Sequence, residues 1–269
     1  MKIIKSFKVL KKEINFNDNI GFVPTMGSLH NGHLSLINTA KKKSKKVIVS
    51  IFINPSQFND KKDFDNYPRN LKKDILILKQ LKIDFLFLPN QKEIYKKKIN
   101  KKIKILKNDK ILCAKYRKGH FEGVLAVVQR LLTNIPSKNI FLGEKDFQQV
   151  YLIKKYLQKK FTTKIISCKT VRNNGQLPLS SRNSLLNNSS LKKSERISKL
   201  ILHFKKRIIS SIKNIYLLKD YKNKINELCD KIEYFELRNK NNLSRKINKK
   251  NFKIFIAYKI NKIRLIDNV

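Results

Sequence analysis

Two histidines, His30 and His33, lie three residues apart in segment 24–37, which reads PTMGSLHNGHLSLI. At the start of a helix, this spacing puts both rings on one side. Imidazoles there can donate hydrogen bonds to phosphoryl oxygens and stabilise charge that builds on a leaving pyrophosphate. The alternatives are simple helix capping or a metal pair, but zinc needs further ligands, and His120 and His203 come without a supporting cysteine or carboxylate pattern. The pattern therefore favours phosphate contact over metal.

The elements around these histidines alternate between apolar runs and stretches of helical period, which predicts repeated βα units. The predicted strands are 20–24, 46–54, 83–89, 139–143 and 164–171, and the predicted helices are 33–44, 69–82, 120–135 and 146–160. Such spacing is typical of right-handed crossovers. We therefore predict an α/β fold, with a Rossmann-like parallel sheet covered by helices on both faces.

The position of the histidine segment in this fold is informative. Ligands of open parallel sheets bind beyond the carboxyl ends of the strands, where helix N-termini present free N–H groups. The segment follows the first predicted strand and opens the first long helix, and Gly27 and Gly32 allow close approach of the backbone to a ligand. We expect a binding site here.

The amino-acid composition of the sequence changes near residue 174. All seven glycines lie at or before position 175, and a lysine-rich helical stretch follows. The chain ends in NFKIFIAYKINKIRLIDN, which favours a terminal hairpin-like pair of strands. We predict a catalytic domain over 1–174 and a small α+β lid domain over 175–269.

The formal net charge of +43 has two interpretations. A polyanion partner is one, because clustered basic residues release counterions from nucleic acid. Compositional drift is the other, and it is favoured because 52 of the 62 basic residues are lysines spread along the chain with many Ile and Asn. Nucleic-acid binders usually also use arginine forks and stacked aromatics. A nucleic-acid partner is therefore not expected.

The lengths of the apolar runs and the spacing of the cysteines indicate the cellular compartment in which the protein functions. No run approaches the roughly 18 consecutive apolar residues of a membrane span, and lysines interrupt the N-terminal stretch before a secretory core forms. The three cysteines, Cys113, Cys168 and Cys229, lack metal-site or disulfide spacing, which predicts buried thiols. We expect a soluble, cytoplasmic protein without membrane attachment.

His30-Asn31-Gly32-His33 resembles the HxGH signature of nucleotidyltransferases related to class I aminoacyl-tRNA synthetases. Further segments resemble the pantothenate synthetase family, in its order and at its spacing. These segments are VSIFINPSQF (49–58), DFDNYPRNLKKD (63–74), HFEGVLAVVQRLL (120–132) with FLGEKDFQQVYLI (141–153), and LPLSSRN (177–183). The terminal RLIDN (264–268) is similar as well. Together the blocks extend over roughly two thirds of the chain.

The resemblance implies an ATP-dependent ligase that joins (R)-pantoate to β-alanine through a pantoyl-adenylate, giving pantothenate, AMP and pyrophosphate. ATP would be a substrate, Mg²⁺ would accompany it, and a homodimer is expected by analogy with the family. The alternatives are another HxGH nucleotidyltransferase, and a lysine-rich nucleic-acid-binding relative. Against the first, 269 residues leave no room for an anticodon domain, and the glutamine-bearing blocks are not part of the general HxGH pattern.

The resemblance also implies site residues, although the metal ligands stay unknown. The implied catalytic residues are His30, His33, Lys145, Ser180, Ser181 and Arg182. The same residues are expected to contact ATP, together with Met26, Gly27, Ser28, Leu29, Asn31, Gly32, Gly143, Glu144, Asp146, Val171 and Leu179. Pantoate is expected to contact Asn54, Gln57, Tyr67 and Gln149, with Gln57 also near β-alanine.

The residue types suit these roles. Lys145 follows a predicted strand and a glycine at a helix start, where a cation meets phosphates, and Asp146 can bind ribose or help to hold magnesium. Gln57 and Gln149 are neutral amides, which can hold a hydroxy acid without damping its nucleophilic carboxylate. The SSRN stretch offers hydroxyls and a guanidinium for triphosphate oxygens. Pro178 departs from the family pattern and predicts a stiffer loop there.

Overall fold

A computed structural model describes residues 1–15, 18–96 and 103–269, and the described chain forms two compact units, Met1–Lys169 and Thr170–Val269. Each unit has its own hydrophobic core. No helix in the described ranges is long and apolar enough to cross a membrane. Cys113 and Cys168 are buried and Cys229 is partly buried, and none of the three forms a disulfide with another residue that the structure describes.

The first unit is built on a parallel sheet, as predicted. Within its described residues, the sheet has the order β1-β4-β3-β2-β5-β6. Every neighbouring pair is parallel. The strands are β1 (Lys2–Ile4), β2 (Ile20–Thr25), β3 (Lys46–Ile51), β4 (Phe85–Phe87), β5 (Asn139–Gly143) and β6 (Lys164–Cys168).

Helices connect these strands. Those described in the first unit are α1 (Phe7–Glu13), α2 (Asn31–Lys43), α3 (Lys61–Asp65), α4 (Leu71–Gln80), α5 (Gln91–Tyr95), α6 (Cys113–Tyr116), α7 (His120–Asn134) and α8 (Phe147–Leu157). The strands are almost continuously apolar because both faces of a parallel sheet are covered. Val23, Val49, Leu86 and Phe141 are fully buried in this core.

The strand order creates a switch point at β2. Its neighbours are β3, the next strand in sequence, and β5, which lies more than a hundred residues further along the chain. Crossovers leave β2 in opposite directions at such a point, and the carboxyl ends of the strands flank a crevice in which ligands of this fold class bind. The segments that follow β2 and β5 therefore border one crevice.

The predicted boundaries shift where side chains cap the backbone. Helix α2 begins at Asn31 rather than at 33, because the His30 side chain accepts a backbone hydrogen bond and caps the helix. Strand β3 ends at Ile51 rather than at 54, because Asn54 caps a short 3₁₀ turn over Pro55–Gln57. Strand β5 has the bounds that were predicted.

The second unit is α+β, as predicted, with one strand more than expected. Its helices are α9 (Asn188–Ser210) and α10 (Leu218–Asn226), and its antiparallel sheet has the order β7-β8-β9, formed by β7 (Lys231–Asn239), β8 (Phe252–Ile260) and β9 (Ile263–Asn268). The predicted terminal pair is β8 and β9. Strand β7 was not predicted, because its glutamates and arginine interrupt the apolar pattern of the segment. In the structure, Glu236 forms an ion pair with Arg238 of the same strand.

Candidate active site

The carboxyl edge of the first sheet carries three of the predicted segments. The turn 26–30 follows β2, the 3₁₀ turn with Gln57 follows β3, and Glu144–Asp146 forms a 3₁₀ turn directly after β5. Because β3, β2 and β5 are adjacent in the sheet, these segments are neighbours in space. The parallel topology thus gathers residues that are far apart in sequence.

The turn after β2 is held by side chains from elsewhere in the sheet. Gly27 and Ser28 both have positive φ, +78° and +51°, a conformation that favours glycine. The Thr25 hydroxyl accepts the Gly27 N–H at 3.2 Å. The buried Asp74 carboxylate accepts the N–H groups of Ser28 and Leu29, each at 2.8 Å. These bonds fix the backbone that presents His30.

The two histidines are locked in one tautomer. His30 Nδ1 accepts the Gly32 N–H at 3.1 Å, and His33 Nδ1 accepts the His30 N–H at 3.3 Å. A nitrogen that accepts carries no proton, so in each neutral ring the hydrogen sits on Nε2. The ring centroids are 4.1 Å apart. Capping and phosphate contact therefore do not compete: Nδ1 caps the helix, and Nε2–H remains a donor.

The electrostatics of the site keep both rings neutral. Burial, followed by the positive charge of Lys145, lowers the pKa of His30 to about 4. Burial, followed by His30, lowers the pKa of His33 to about 3, although Asp146 opposes the shift. A histidine with a normal pKa near 6.5 would be partly charged at neutral pH. These two are neutral hydrogen-bond donors rather than cations.

This protonation state predicts how stability depends on pH. Between pH about 6.5 and about 4 the unfolded chain binds protons at both histidines that the native state does not bind. The free energy of unfolding should therefore fall as pH falls through this window. Urea unfolding at several pH values will test it, and His33→Gln should lose part of the dependence. An unchanged dependence in that variant would contradict the assigned neutral state.

Lys145 and Asp146 lie beside the histidines. The Lys145 ammonium is 3.3 Å from Asp146 Oδ1, and Lys145 lowers the pKa of both rings while Asp146 raises it. The neighbouring Glu144 carboxylate accepts the Ser167 hydroxyl at 3.0 Å. Lys145 is therefore close enough to the histidine pair to lower the pKa of both rings.

Gln57 connects the segment after β3 with the segment after β2. Its Nε2 donates to Met26 Sδ at 2.7 Å, and its Oε1 accepts from Asn54 Nδ2 at 3.2 Å. Asn54 is buried, with its amide engaged by protein groups. Gln57 therefore reaches the segment 26–33, and Asn54 orients Gln57. Helix α7 comes close enough that a Cβ on Gly123 would clash with the Ser56 carbonyl.

A further pair of side chains holds the Gln57 backbone. Arg117 Nη2 donates to the Gln57 carbonyl at 3.2 Å, and Arg117 Nη1 lies 2.9 Å from His120 Nε2. Because arginine can only donate, His120 Nε2 accepts, and His120 Nδ1–H donates to the same carbonyl at 2.6 Å. His120 thereby contributes to the placement of Gln57.

The two remaining predicted pantoate contacts, Gln149 and Tyr67, differ in how they are held. Gln149 lies on α8, partly buried, and its amide makes no hydrogen bond with other residues that the structure describes. Tyr67 is buried and packs edge to face against Phe58, with ring centroids 5.5 Å apart. Asn31, which was predicted to contact ATP rather than pantoate, is exposed at the first position of α2. Gln149 thus retains amide groups for a ligand.

The SSRN stretch belongs to the second unit. Ser180 caps the 3₁₀ turn Ser181–Leu185 by accepting the Arg182 N–H, and Ser181 is buried. The Leu179 N–H donates to the Val171 carbonyl at 3.0 Å. These contacts give the stretch a defined backbone.

The base of this loop is held from the end of the chain. Arg172 binds the buried Asp267 carboxylate through two hydrogen bonds of 2.7 Å each. Asp267 belongs to the terminal RLIDN segment on which the family resemblance also drew. A bidentate arginine–carboxylate pair is among the stronger polar contacts in proteins. The C-terminal residues therefore help to position the SSRN loop.

Sequence reasoning assigned no role to Asp74, although this residue closes the segment 63–74. Asp74→Asn would replace one carboxylate oxygen by an NH₂ group that faces a backbone N–H donor. We expect a loss of about 1–3 kcal/mol in the free energy of unfolding. Displacement of His30 by about 1 Å would also cut turnover up to about 10²-fold.

Thermal melting and steady-state kinetics will test the Asp74 prediction. Asp65→Asn, which changes an exposed carboxylate on the adjacent α3, serves as the matched control. Turnover by Asp74→Asn equal to that of Asp65→Asn would show that the Asp74 carboxylate does not place the histidines.

No group of three or more His, Cys, Asp or Glu that could hold a metal occurs among the residues that the structure describes. A metal pair at the histidines was the weaker alternative, and both Nδ1 atoms are already occupied by backbone N–H groups. The donors at this edge suit a phosphorylated ligand better.

Comparison with known proteins identifies the family. A family model described as pantoate-beta-alanine ligase matches residues 2–269. The chain belongs to this family. The prediction of this family over other HxGH nucleotidyltransferases is confirmed, and with it the prediction of an enzyme of the ligase class.

Individual pantothenate synthetases are similar to this chain over nearly its whole length. The pantothenate synthetase of Francisella tularensis subsp. mediasiatica is 42% identical over 270 residues, covering 98% of this chain and 94% of the relative. A pantothenate synthetase structure from Thermus thermophilus has a TM-score of 0.91 at 27% identity, over 100% of this chain and 99% of that one. A pantoate-beta-alanine ligase from Francisella tularensis, complexed with beta-gamma ATP and beta-alanine, has a TM-score of 0.84 at 40% identity, over 100% and 97%.

Proposed function

We propose that this chain uses ATP to join (R)-pantoate to β-alanine through a pantoyl-adenylate, and that the carboxyl edge of the first sheet carries the chemistry. The observation that supports this most is the pair of neutral histidines, each with Nε2–H as a donor, beside Lys145. A cation and two neutral donors form a suitable cradle for a triphosphate that develops charge during reaction.

In the first step, a pantoate carboxylate oxygen attacks the α-phosphorus of ATP. The bond from that phosphorus to the bridging oxygen breaks, and pyrophosphate leaves with the electron pair. His30 and His33 donate through Nε2–H to the phosphoryl oxygens, and Lys145 balances the charge that builds on the leaving group. Both imidazoles keep their Nε2 protons through this step and stabilise the developing charge as hydrogen-bond donors.

In the second step, the β-alanine amine attacks the acyl carbon of the adenylate. The bond from that carbon to the phosphate oxygen breaks, AMP leaves, and the nitrogen loses a proton to give the amide. Gln57 and Gln149 hold pantoate through neutral amides, with Asn54 and Tyr67 supporting them, and Gln57 also lies near β-alanine. The carboxylate keeps its nucleophilicity because the glutamine amides that hold it are neutral.

The nucleotide contacts extend beyond the histidines. We assign them to Met26–Leu29, Asn31, Gly32, Gly143–Asp146, Val171 and Leu179. Ser180, Ser181 and Arg182 would bind phosphate oxygens from a lid formed by residues 175–269, with the catalytic domain ending near 174. The capped, anchored backbone of the SSRN turn supports this role.

Mg²⁺ fits this site as a companion of ATP rather than as a resident of a protein cage. Magnesium is usually held by one or two carboxylates together with substrate phosphates. Asp146, about half exposed beside Lys145, is the carboxylate that would hold it, unless Asp146 binds the ribose instead. The ion would neutralise phosphate charge.

We also propose that the protein is a cytoplasmic homodimer.

The test is turnover by the purified protein with Mg-ATP, pantoate and β-alanine, omitting each substrate in turn. We expect AMP and pantothenate, identified by mass, in equal amounts only with the complete set. Absence of pantothenate, with tight and salt-sensitive binding of RNA or DNA, would favour the nucleic-acid alternative and overturn the proposal.

A further inference from the structure

The Asn54 side chain is the centre of a hydrogen-bond network that reaches Gln57. Its Oδ1 accepts from the Tyr95 hydroxyl at 2.7 Å, from the Ser56 hydroxyl at 2.9 Å and from the Ser56 N–H at 3.3 Å. Its Nδ2 donates to Gln57 Oε1 at 3.2 Å and to the Gly123 carbonyl at 3.3 Å. Donors on one side and acceptors on the other fix the orientation of the amide.

Tyr95 brings this network a contact from a different part of the chain. It is the last residue of α5, 41 residues from Asn54 in sequence. The Arg130 guanidinium on α7 lies over its ring, 4.6 Å from the centroid, and also donates to the Ala126 carbonyl. This cation–π contact holds the ring, so the hydroxyl is aimed at Asn54.

Counting protons shows how the two hydroxyls cooperate. The Ser56 hydroxyl lies 2.9 Å from both Asn54 Oδ1 and the Tyr95 oxygen, and each hydroxyl has one hydrogen. When Tyr95 donates to Asn54, Ser56 can donate to Tyr95. When one hydroxyl is removed, the other can still donate to Asn54. Only the loss of both leaves Oδ1 without a side-chain donor from this pair.

We propose that Tyr95 is a positioning residue for the pantoate site, acting through Asn54 on Gln57, with Ser56 as its partner. This inference rests on the proposed role of Gln57 in holding pantoate. A fixed Asn54 amide keeps Gln57 Oε1 engaged, so that Gln57 Nε2 points towards Met26 and the ligand side. Without this contact the Gln57 amide could rotate, and either its oxygen or its nitrogen could then face pantoate.

The test compares Tyr95→Phe, Ser56→Ala and the double variant in steady-state kinetics. Each single variant should raise the KM for pantoate by about threefold, the effect of weakening one neutral hydrogen bond. The double variant should raise it by about 30-fold or more, above the product of the single effects, because each hydroxyl substitutes for the other. The KM for ATP should stay within about twofold of the wild-type value. An unchanged KM for ATP would show that the variants affect pantoate binding and not ATP binding.

Two reference variants make the result interpretable. Tyr216→Phe removes an exposed hydroxyl in the second unit and should match wild type in kinetics and in urea unfolding. Gln57→Ala should raise the KM for pantoate directly. If Gln57→Ala raises it and the double variant does not, or raises the KM for ATP equally, the inference about Tyr95 is wrong while the proposed function stands. If Gln57→Ala leaves it unchanged, the proposed role of Gln57 fails, and the Tyr95 inference fails with it.

Discussion

Replacing His33 by alanine should reduce kcat by about 10²- to 10³-fold, the scale for removing one donor to a charge that develops in the transition state. The structure gives this donor a defined atom, because His33 Nδ1 accepts the His30 N–H and leaves the proton on Nε2. The backbone N–H of His30 would also lose its acceptor, which adds a smaller cost in stability. Single-turnover formation of the adenylate is the appropriate measurement.

Two variants separate the donor role of His33 from a structural role. His33→Gln retains an N–H donor and should recover part of the lost rate. His203→Ala removes a histidine of the second unit that hydrogen-bonds Tyr221, and it should keep wild-type turnover even if it lowers stability. Turnover near the wild-type level in His33→Ala would remove His33 from the mechanism. A stable fold with equal losses in the alanine and glutamine variants would show that the side-chain N–H is not what matters.

Replacing Lys145 by glutamine should lower kcat/KM for ATP by at least about 10²-fold, because it removes the cation that stabilises the leaving pyrophosphate. The same change should raise the pKa of His30 and His33, since the positive charge of Lys145 lowers both. Histidine titration followed by NMR provides this second measurement without any substrate. It reports on the proximity of Lys145 to the rings even when activity is too low to quantify.

Lys154→Gln is the matched control for Lys145, because it removes an exposed lysine from the adjacent α8. It should leave both kcat/KM and the histidine titration at wild-type values. An equal loss in the two lysine variants would mean that total charge, rather than the position of Lys145, governs ATP use. A normal rate in Lys145→Gln would remove this residue from the proposed mechanism.

The elements of the fold that could be predicted from the sequence are those with a clear local pattern of apolar and polar residues. Strands β2 and β5 are short apolar runs bounded by polar residues or glycine, and both were found within a residue of their observed ends. Strand β1 is only Lys2–Ile4, too short to show periodicity, and it forms by pairing with β4. Strand β7 requires its partner β8 to bury its apolar residues, so neither local pattern nor composition indicated it.

The same distinction applies to the candidate site. His30, His33 and Lys145 stand at strand ends in recognisable segments, and the parallel topology alone brings those ends together. Asp74 and Tyr95 act through contacts with residues 46 and 41 positions away, which no local pattern encodes. The neutral state of the histidines likewise depends on burial in the folded chain.

A small number of the basic residues that the structure describes have assigned roles at the candidate site. Among the basic residues, Lys145 is assigned to the reaction by its place after β5 rather than by its charge alone. Arg172 and Arg130 bind internal groups, because Arg172 holds Asp267 and Arg130 lies over Tyr95, whereas Arg182 is proposed to bind phosphate oxygens of ATP. That the excess of lysine reflects composition rather than a polyanion partner stays a prediction.

The most direct test of the central claim, that a carboxylate oxygen of pantoate attacks the α-phosphorus of ATP at this site, is an isotope measurement. Pantoate labelled with ¹⁸O in its carboxylate is turned over with ATP and β-alanine, and the released AMP is analysed by mass spectrometry. We predict one heavy oxygen in the phosphate of AMP and none in pyrophosphate. Unlabelled AMP, or label released in pyrophosphate or inorganic phosphate, would contradict an adenylate and the account built on it.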